Sequence, residues 1–279
     1  MIPVEHTIDG IRKALEPHRH RGSIGFVPTM GALHAGHARL IEVAREQCKP
    51  VVVSIFVNPL QFDQPEDFER YQRNLESDLA LAANSGAQMV FAPSAPEMYP
   101  SQAETFVEVQ GLTQHFCGAS RPGHFRGVAT VVAKLFHIIQ PDVALFGEKD
   151  AQQLAVIERM VLNLNFPVAI VAVPTVREPD GLALSSRNAR LAPDERRTAV
   201  CLYHALTRAR ELIHAGERDS HTIREQAGAL LLQPGVQIDY FDVADPKTMC
   251  PVSTAVPPVY VMGAIRVGAT RLIDNLLCR

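Results

Sequence analysis

The sequence predicts an α/β protein, a parallel-sheet domain over residues 1–175 followed by a smaller α+β domain over 176–279. Three observations predict it. Short β-rich runs alternate with helical patterns through the first two-thirds of the chain, as βαβ units do. One run, Val51-Val52-Val53-Ser54-Ile55-Phe56-Val57, is almost wholly apolar, which suits a strand buried on both faces of a parallel sheet. Beyond about Val176 the texture changes to two helical patterns and then two β-rich runs.

In chain order, Ser23 to Val27 reads as the first strand and Pro28 to Gly31 as a turn. Gly36 to Cys48 then carries Leu40, Ile41 and Ala44 at helical spacing. After the Val51–Val57 run, further strands are expected at Gln88–Phe91, Val143–Phe146 and Pro167–Val173. Helices are expected between them, around Leu75–Ala83, Gly127–Ile139 and Ala151–Leu164. In the second domain Pro193-Asp194 is a helix start, and Ala199, Leu202, Leu206, Ala209 and Ile213 form one apolar face ending at Gly216. A helix over His221–Leu232 and strands at Val236–Val243 and Val259–Val267 complete it.

Composition narrows the function classes. Hydrophobic residues make 47% of the 279-residue chain and charged residues 20%, a globular balance that argues against disorder. A net charge of −3 gives no overall field for nucleic acid or an anionic membrane. The five cysteines are scattered and never form a CxxC pair, so a reduced cytoplasmic protein is expected rather than a disulfide framework or a zinc knuckle. Met1 to His6 shows no basic region followed by an apolar run, hence no signal peptide, and no apolar stretch reaches the ~18 residues of a membrane span.

Chemistry concentrates in five segments. The first, Pro28-Thr29-Met30-Gly31-Ala32-Leu33-His34-Ala35-Gly36-His37, lies where the first strand hands over to the first helix. A helix N-terminus there offers N–H groups and partial positive charge to a phosphate. Gly36 would let a nucleotide approach the backbone, and two imidazoles three residues apart can stabilise charge as a P–O bond breaks. A surface loop with unrelated histidines is the bland alternative. A zinc pair is the other, weakened by the lack of Glu or Asp between them. The HxGH pattern resembles the nucleotidylyltransferase superfamily, which uses it to bind ATP.

The second, Arg177 to Asn188, turns at Asp180-Gly181 and then aligns the hydroxyls of Ser185 and Ser186 with the guanidinium of Arg187. Those donors suit β- and γ-phosphates, although a capped loop with a solvated arginine would look the same. Together with HxGH, the segment resembles the paired ATP motifs of class I aminoacyl-tRNA synthetases and their small relatives. The third, Phe146-Gly147-Glu148-Lys149-Asp150-Ala151-Gln152-Gln153, follows a strand and opens a helix. Lys149 is the natural counter-charge to an α-phosphate, Asp150 is a helix cap or a ligand contact, and one of the two glutamines reads substrate oxygens unless both are solvated. The fourth, Ser54 to Phe62, offers the amides of Asn58 and Gln61 to hydroxyls and a carboxylate, or uses them in a turn. The fifth, Arg121-Pro122-Gly123-His124-Phe125-Arg126-Gly127, supplies basic groups for a phosphate lid or merely flanks a helix start.

Pro-Thr-Met-Gly-Ala-Leu-His-x-Gly-His, Ser-Ile-Phe-Val-Asn-Pro-x-Gln-Phe, Arg-Pro-Gly-His-Phe-Arg-Gly-Val, Phe-Gly-Glu-Lys-Asp-x-Gln-Gln and Asp-Gly-Leu-Ala-Leu-Ser-Ser-Arg-Asn, in that order, resemble the pantothenate synthetase family. The match is sharp from about residue 23 to 190 and fainter at Ile238-Asp239-Tyr240 and Arg271-Leu272-Ile273-Asp274-Asn275. The resemblance implies a Rossmann-like N-terminal domain, a smaller C-terminal domain closing over the site, a homodimer, and condensation of pantoate with β-alanine through a pantoyl adenylate, releasing AMP and pyrophosphate. It implies His34, His37 and Lys149 as catalytic groups. It further implies ATP contacts from Pro28, Thr29, Met30, Gly31, Gly36, Gly147, Glu148, Asp150, Val176, Leu184, Ser185, Ser186 and Arg187. Pantoate and β-alanine would be held by Met30, Asn58, Gln61, His124 and Gln153, with Arg121 nearby and Mg²⁺ carried on the ATP phosphates. Gln72 and Gln88 depart from the family pattern, which has proline and an acidic residue near these places, and bear on loop geometry and ion contacts. A plain nucleotidylyltransferase, an aminoacyl-tRNA synthetase fragment and a non-catalytic nucleotide-binding regulator are the competing readings.

Overall fold

The structure is a computed structural model describing residues 2–19, 21–63, 65–100 and 102–279; Met1, where the expected first domain begins, lies outside them. The chain forms two compact units. The first comprises Met1–Val109, Arg121–Glu148 and Val156–Pro174, and the second Gln110–Ser120, Lys149–Ala155 and Thr175–Arg279. The expected boundary falls at 175/176; the second unit also takes two short earlier segments, one of which contains Lys149 and Gln153.

The first unit is built on a six-stranded sheet of β1 (Val4–Glu5), β2 (Gly25–Thr29), β3 (Val51–Ile55), β4 (Met89–Phe91), β5 (Val143–Gly147) and β6 (Ala169–Val173), in the spatial order β1-β4-β3-β2-β5-β6. Every pairing is parallel. Because side chains alternate along a strand, Val27, Val51, Val53, Leu145 and Val173 bury against Leu40, Ile41 and Ala44 of helix Ala35–Gln47. Phe26 instead meets Phe136 of helix His124–Ile139 edge-on, with ring centroids 6.4 Å apart. Helices therefore cover both faces, and the apolar runs are explained.

The chain leaves β2 for β3 and β4 on one side, then returns to β5 on the other. Strand order thus reverses between β2 and β5. Open α/β sheets bind ligands at such a switch point, outside the carboxyl ends of the strands.

Several boundaries differ from expectation for definable reasons. β2 runs on through Pro28 and Thr29, which pair with Ser54 and Ile55, instead of turning there. Pairing with β5 has already ended at Phe26, so at Pro28 the strand has an open edge that tolerates a residue without an N–H. The expected single helix from Pro193 is two, Pro193–Ala199 and Cys201–His214, separated at Val200. Helix Ser220–Gly228 stops at its glycine and finishes as the 3₁₀ turn Ala229–Leu231.

The second unit holds an antiparallel sheet of β7 (Val236–Ala244), β8 (Val259–Val267) and β9 (Thr270–Cys278). Leu202, Leu206, Ala209 and Ile213 bury their helix face with Val261, Ile265 and Leu272 of the sheet. β9 is a strand that period-2 patterning does not announce, because it buries Asp274 and Asn275 where apolar residues would be expected. Among the described residues no helix is long and apolar enough to cross a membrane.

Candidate active site

In the first unit, the loop leaving β2 is held from both sides. Thr29 Oγ1 donates to Ser54 O at 2.6 Å and accepts from Gly31 N at 3.1 Å. Gly31 and Ala32 then take left-handed backbone, φ +81° and +50°. Asp78, buried on helix Leu75–Ser85, accepts from Ala32 N at 3.0 Å and Leu33 N at 2.7 Å. Burial raises the Asp78 carboxyl above the ordinary carboxylate range, and the two backbone bonds pull it back. A Cβ at Gly31 would sit 2.8 Å from Asp78 Oδ2, so the carboxylate leaves no room for one and the left-handed backbone favours glycine there as well.

His34 caps helix Ala35–Gln47. Its Nδ1 accepts from Gly36 N at 3.1 Å, and His37 Nδ1 accepts from His34 N at 3.2 Å, a capping box built from two imidazoles. The ring centroids stand 4.2 Å apart. With each Nδ1 accepting from the backbone, the neutral rings carry their protons on Nε2, so the pair forms two oriented N–H donors at a helix N-terminus. Gly36 is what permits this: a Cβ there would lie 2.8 Å from His34 Cε1.

A second group in the same unit surrounds Gln61. Asn58 donates from Nδ2 to Gln61 Oε1 and to Gly127 O, each at 3.1 Å, while its Oδ1 accepts from Tyr99 OH at 3.0 Å and Leu60 N at 3.3 Å. Both ends of that amide are thus bound within the protein, where they orient Gln61. Gln61 Nε2 approaches Met30 Sδ at 2.9 Å. Gln61 O accepts from His124 Nδ1 at 2.7 Å and from Arg121 Nη2 at 3.2 Å, and Arg121 also pairs with Asp63 at 3.1 Å. The basic segment 121–127 is therefore tied to the turn that carries Gln61. Gly127 allows its helix to approach so closely that a Cβ would stand 2.1 Å from Leu60 O. A cavity of about 310 Å³ is lined by Met30, Gly31, Ile55, Phe56, Gln72 and Asp78, among others. The other departure from the family pattern, Gln88, accepts from Val51 N at 2.6 Å and donates to Gly86 O at 2.9 Å.

Gly147 and Glu148 end a segment of the first unit, and Lys149 opens one of the second. Within the second unit Lys149 Nζ lies 3.8 Å from Asp150 Oδ2, and its carbonyl accepts from Asn275 Nδ2 at 2.8 Å. The adjacent glutamines differ sharply. Gln152 is buried and donates to Leu112 O at 2.8 Å and His115 O at 2.9 Å; Gln153 is only half-buried.

The Arg177–Asn188 segment is a short antiparallel excursion. Glu178 N donates to Leu182 O, Leu184 N to Val176 O, and Gly181 turns at φ +94°. Ser185 Oγ accepts from Arg187 N at 3.2 Å and caps the 3₁₀ turn Ser186–Arg190. Asp180 accepts from both Nη atoms of Arg196, at 2.8 and 3.1 Å, which holds its carboxyl below the usual range.

The structure therefore gathers the sequence candidates into two sets. Pro28 to His37 with Asn58, Gln61, Arg121, His124, Gly147 and Glu148 belong to the first unit; Lys149, Asp150, Gln153, Val176 and Leu184 to Arg187 belong to the second. Sequence reasoning overlooked Asp78, because an acidic residue in the first turn of a helix is ordinary. It overlooked Tyr99 for lack of any local pattern.

A family model for pantoate-beta-alanine ligase matches residues 3–277. A pantothenate synthetase of Heliobacterium modesticaldum is 55% identical over 263 residues, 94% of each chain, and one of Moorella thermoacetica is 52% identical over 273 residues, 97% of this chain and 96% of its own. Among solved structures, a pantothenate synthetase of Thermus thermophilus superposes with TM-score 0.94 at 48% identity, covering 99% of both chains. A pantoate-beta-alanine ligase of Francisella tularensis, complexed with beta-gamma ATP and beta-alanine, matches with TM-score 0.82 at 32% identity over 99% of this chain and 98% of its own. With its motifs in order, its strand sequence reversing at the HxGH loop and these relatives matching along nearly their full length, the chain belongs to the pantoate–β-alanine ligase family.

Proposed function

We infer that the protein joins pantoate to β-alanine at the expense of ATP, through a pantoyl adenylate. The observation that carries the reading is the imidazole pair at the switch-point helix, two Nε2–H donors set by backbone bonds. A carboxylate acylates poorly because its leaving group is oxide. In the first step a carboxylate oxygen of pantoate attacks the α-phosphorus of ATP in line; the Pα–O bond to the β-phosphate breaks and pyrophosphate leaves. In the second the amine of β-alanine attacks the acyl carbon, AMP departs, and the proton of the new ammonium passes to solvent. Catalysis rests on positioning and neutralisation of phosphate charge.

In this proposal His34, His37 and Lys149 stabilise the charge that builds on the phosphates. Ser185, Ser186 and Arg187 grip the β- and γ-phosphates, and the backbone from Pro28 to Gly36, with Gly147, Glu148, Asp150, Val176 and Leu184, holds the rest of the nucleotide. Gln61 and Gln153 read pantoate, Met30 shapes its pocket, and Asn58 and His124 act by holding Gln61. Residues 1–175 serve as the ATP- and pantoate-binding domain and 176–279 as its smaller lid. Magnesium enters with ATP. No three His, Cys, Asp or Glu side chains among the described residues stand together as a metal site, so phosphate oxygens and water would supply the ligands. A cytoplasmic homodimer completes the proposal, on the strength of the family resemblance.

A coupled AMP assay with pantoate, ATP and β-alanine, omitting each in turn, tests the reading. Amide formation dependent on all three is expected. A nucleotide-linked product that persists when β-alanine is supplied would point to a plain nucleotidylyltransferase, and no ATP turnover at all to a regulator.

A further inference from the structure

Within the second unit, the two segments assigned to the phosphates lead back to neighbouring residues of β9. Asp274 is almost wholly enclosed, 4% exposed, and accepts two bonds from Arg177, at 2.6 Å from Nη1 and 3.0 Å from Nη2. Arg177 Nη1 also donates to Gly181 O at 3.0 Å, and its guanidinium lies 4.8 Å over the Tyr203 ring. One carboxylate thereby anchors the turn from which Ser185, Ser186 and Arg187 are launched, and β9 packs against the 3₁₀ turn Ser186–Arg190 that carries them. Asn275, 5% exposed, donates from Nδ2 to Lys149 O at 2.8 Å, while its own N–H donates to Asp274 Oδ1 at 2.8 Å.

Burying a carboxylate and an amide side by side in a strand costs desolvation, and apolar residues would close this sheet more cheaply. Burial indeed drives the Asp274 carboxyl upward, with Arg177 and Lys149 opposing it. That cost is rational if the pair does something besides hold the sheet. A bidentate Arg–carboxylate clamp is rigid, and rigidity in the supports of a phosphate site is what preorganised charge stabilisation needs.

We propose that Asp274 and Asn275 are positioning residues for adenylation, Asp274 acting through Arg177 on the loop of Ser185, Ser186 and Arg187, and Asn275 through the backbone of Lys149. The proposal rests on the adenylation reading above. It predicts that each residue matters only while the side chain it positions is present.

The test is a pair of double-mutant cycles on pantoate-dependent pyrophosphate release, with thermal unfolding recorded for every variant. Asn275→Ala in the otherwise unaltered protein is expected to lower the rate by about tenfold or more, as small misplacements of reacting groups do. In a Lys149→Ala background the same change is expected to cost less than about twofold, because its target is gone. Asp274→Asn is paired in the same way with a background in which Ser185, Ser186 and Arg187 are all replaced by alanine, since the whole loop is its target. Should Asn275→Ala fail to fold, Asn275→Leu, which has the same heavy-atom branching though more bulk and no donors, replaces it. Equal losses in both backgrounds would reduce the two residues to scaffolding and overturn the proposal, as would unchanged rates in the single variants. An unaltered protein that releases no pyrophosphate with pantoate would sink the adenylation reading and the proposal with it; a working one with indifferent variants sinks the proposal alone.

Discussion

His34 and His37 each combine two tasks. One ring nitrogen closes the helix cap, and that bond leaves the other as the N–H donor. Gly36→Ala should therefore do more harm than a glycine-to-alanine change in a helix usually does, because its methyl displaces the His34 ring. Turnover is expected to fall at least roughly tenfold while the thermal midpoint barely moves, since alanine favours helix. His34→Ala and Lys149→Ala should each slow pyrophosphate release roughly 10²-fold, the scale of losing one preorganised stabiliser. Single-turnover measurement of pyrophosphate checks both. Asp180 titrates within the Arg177–Asn188 segment. Its folded pKa is depressed by Arg196, so its contribution to stability is complete above its unfolded value, about 3.9, and is lost as pH falls through the lower folded value. The stability gap between the unaltered protein and Asp180→Asn should hold constant above about pH 5 and close below about pH 4, as followed by urea unfolding.

At the scale of elements, the handover from β2 to its helix depends on a partner distant in sequence. Asp78 satisfies two part-buried backbone N–H groups beside the left-handed stretch at Gly31 and Ala32, which would otherwise lose these acceptors. Asp78→Ala should destabilise the protein by about 1 kcal/mol, the low end of the cost of stranding donors because these two are part-buried, and should slow adenylation as well; chemical denaturation and the pyrophosphate assay read the two effects separately. What was legible in the sequence follows from how local the signals are. The β3 run is continuously apolar, the helix after HxGH and the apolar face from Ala199 to Ile213 are periodic, and all three stand close to where those local patterns put them. β9 was not legible, because Asp274 and Asn275 interrupt its pattern for the sake of partners at 177 and 149. Asp78 was hidden for the same reason: its role is set by residues 32 and 33.

For the whole molecule, five short motifs already pointed to one family, and relatives matching nearly end to end confirm it. Phosphate-binding candidates lie in both compact units, divided between the HxGH loop in one and Lys149 with the Ser185–Arg187 segment in the other. No single segment thus carries the proposed chemistry, and the activity should disappear when either set is removed while the other stays intact. The central claim is that the carboxylate of pantoate becomes bonded to the α-phosphorus of ATP. Pantoate labelled with ¹⁸O in its carboxylate, turned over with ATP and β-alanine, tests it directly by mass spectrometry of the released nucleotide. One labelled oxygen in AMP is the predicted result; unlabelled AMP, or label in pyrophosphate or orthophosphate instead, would contradict it.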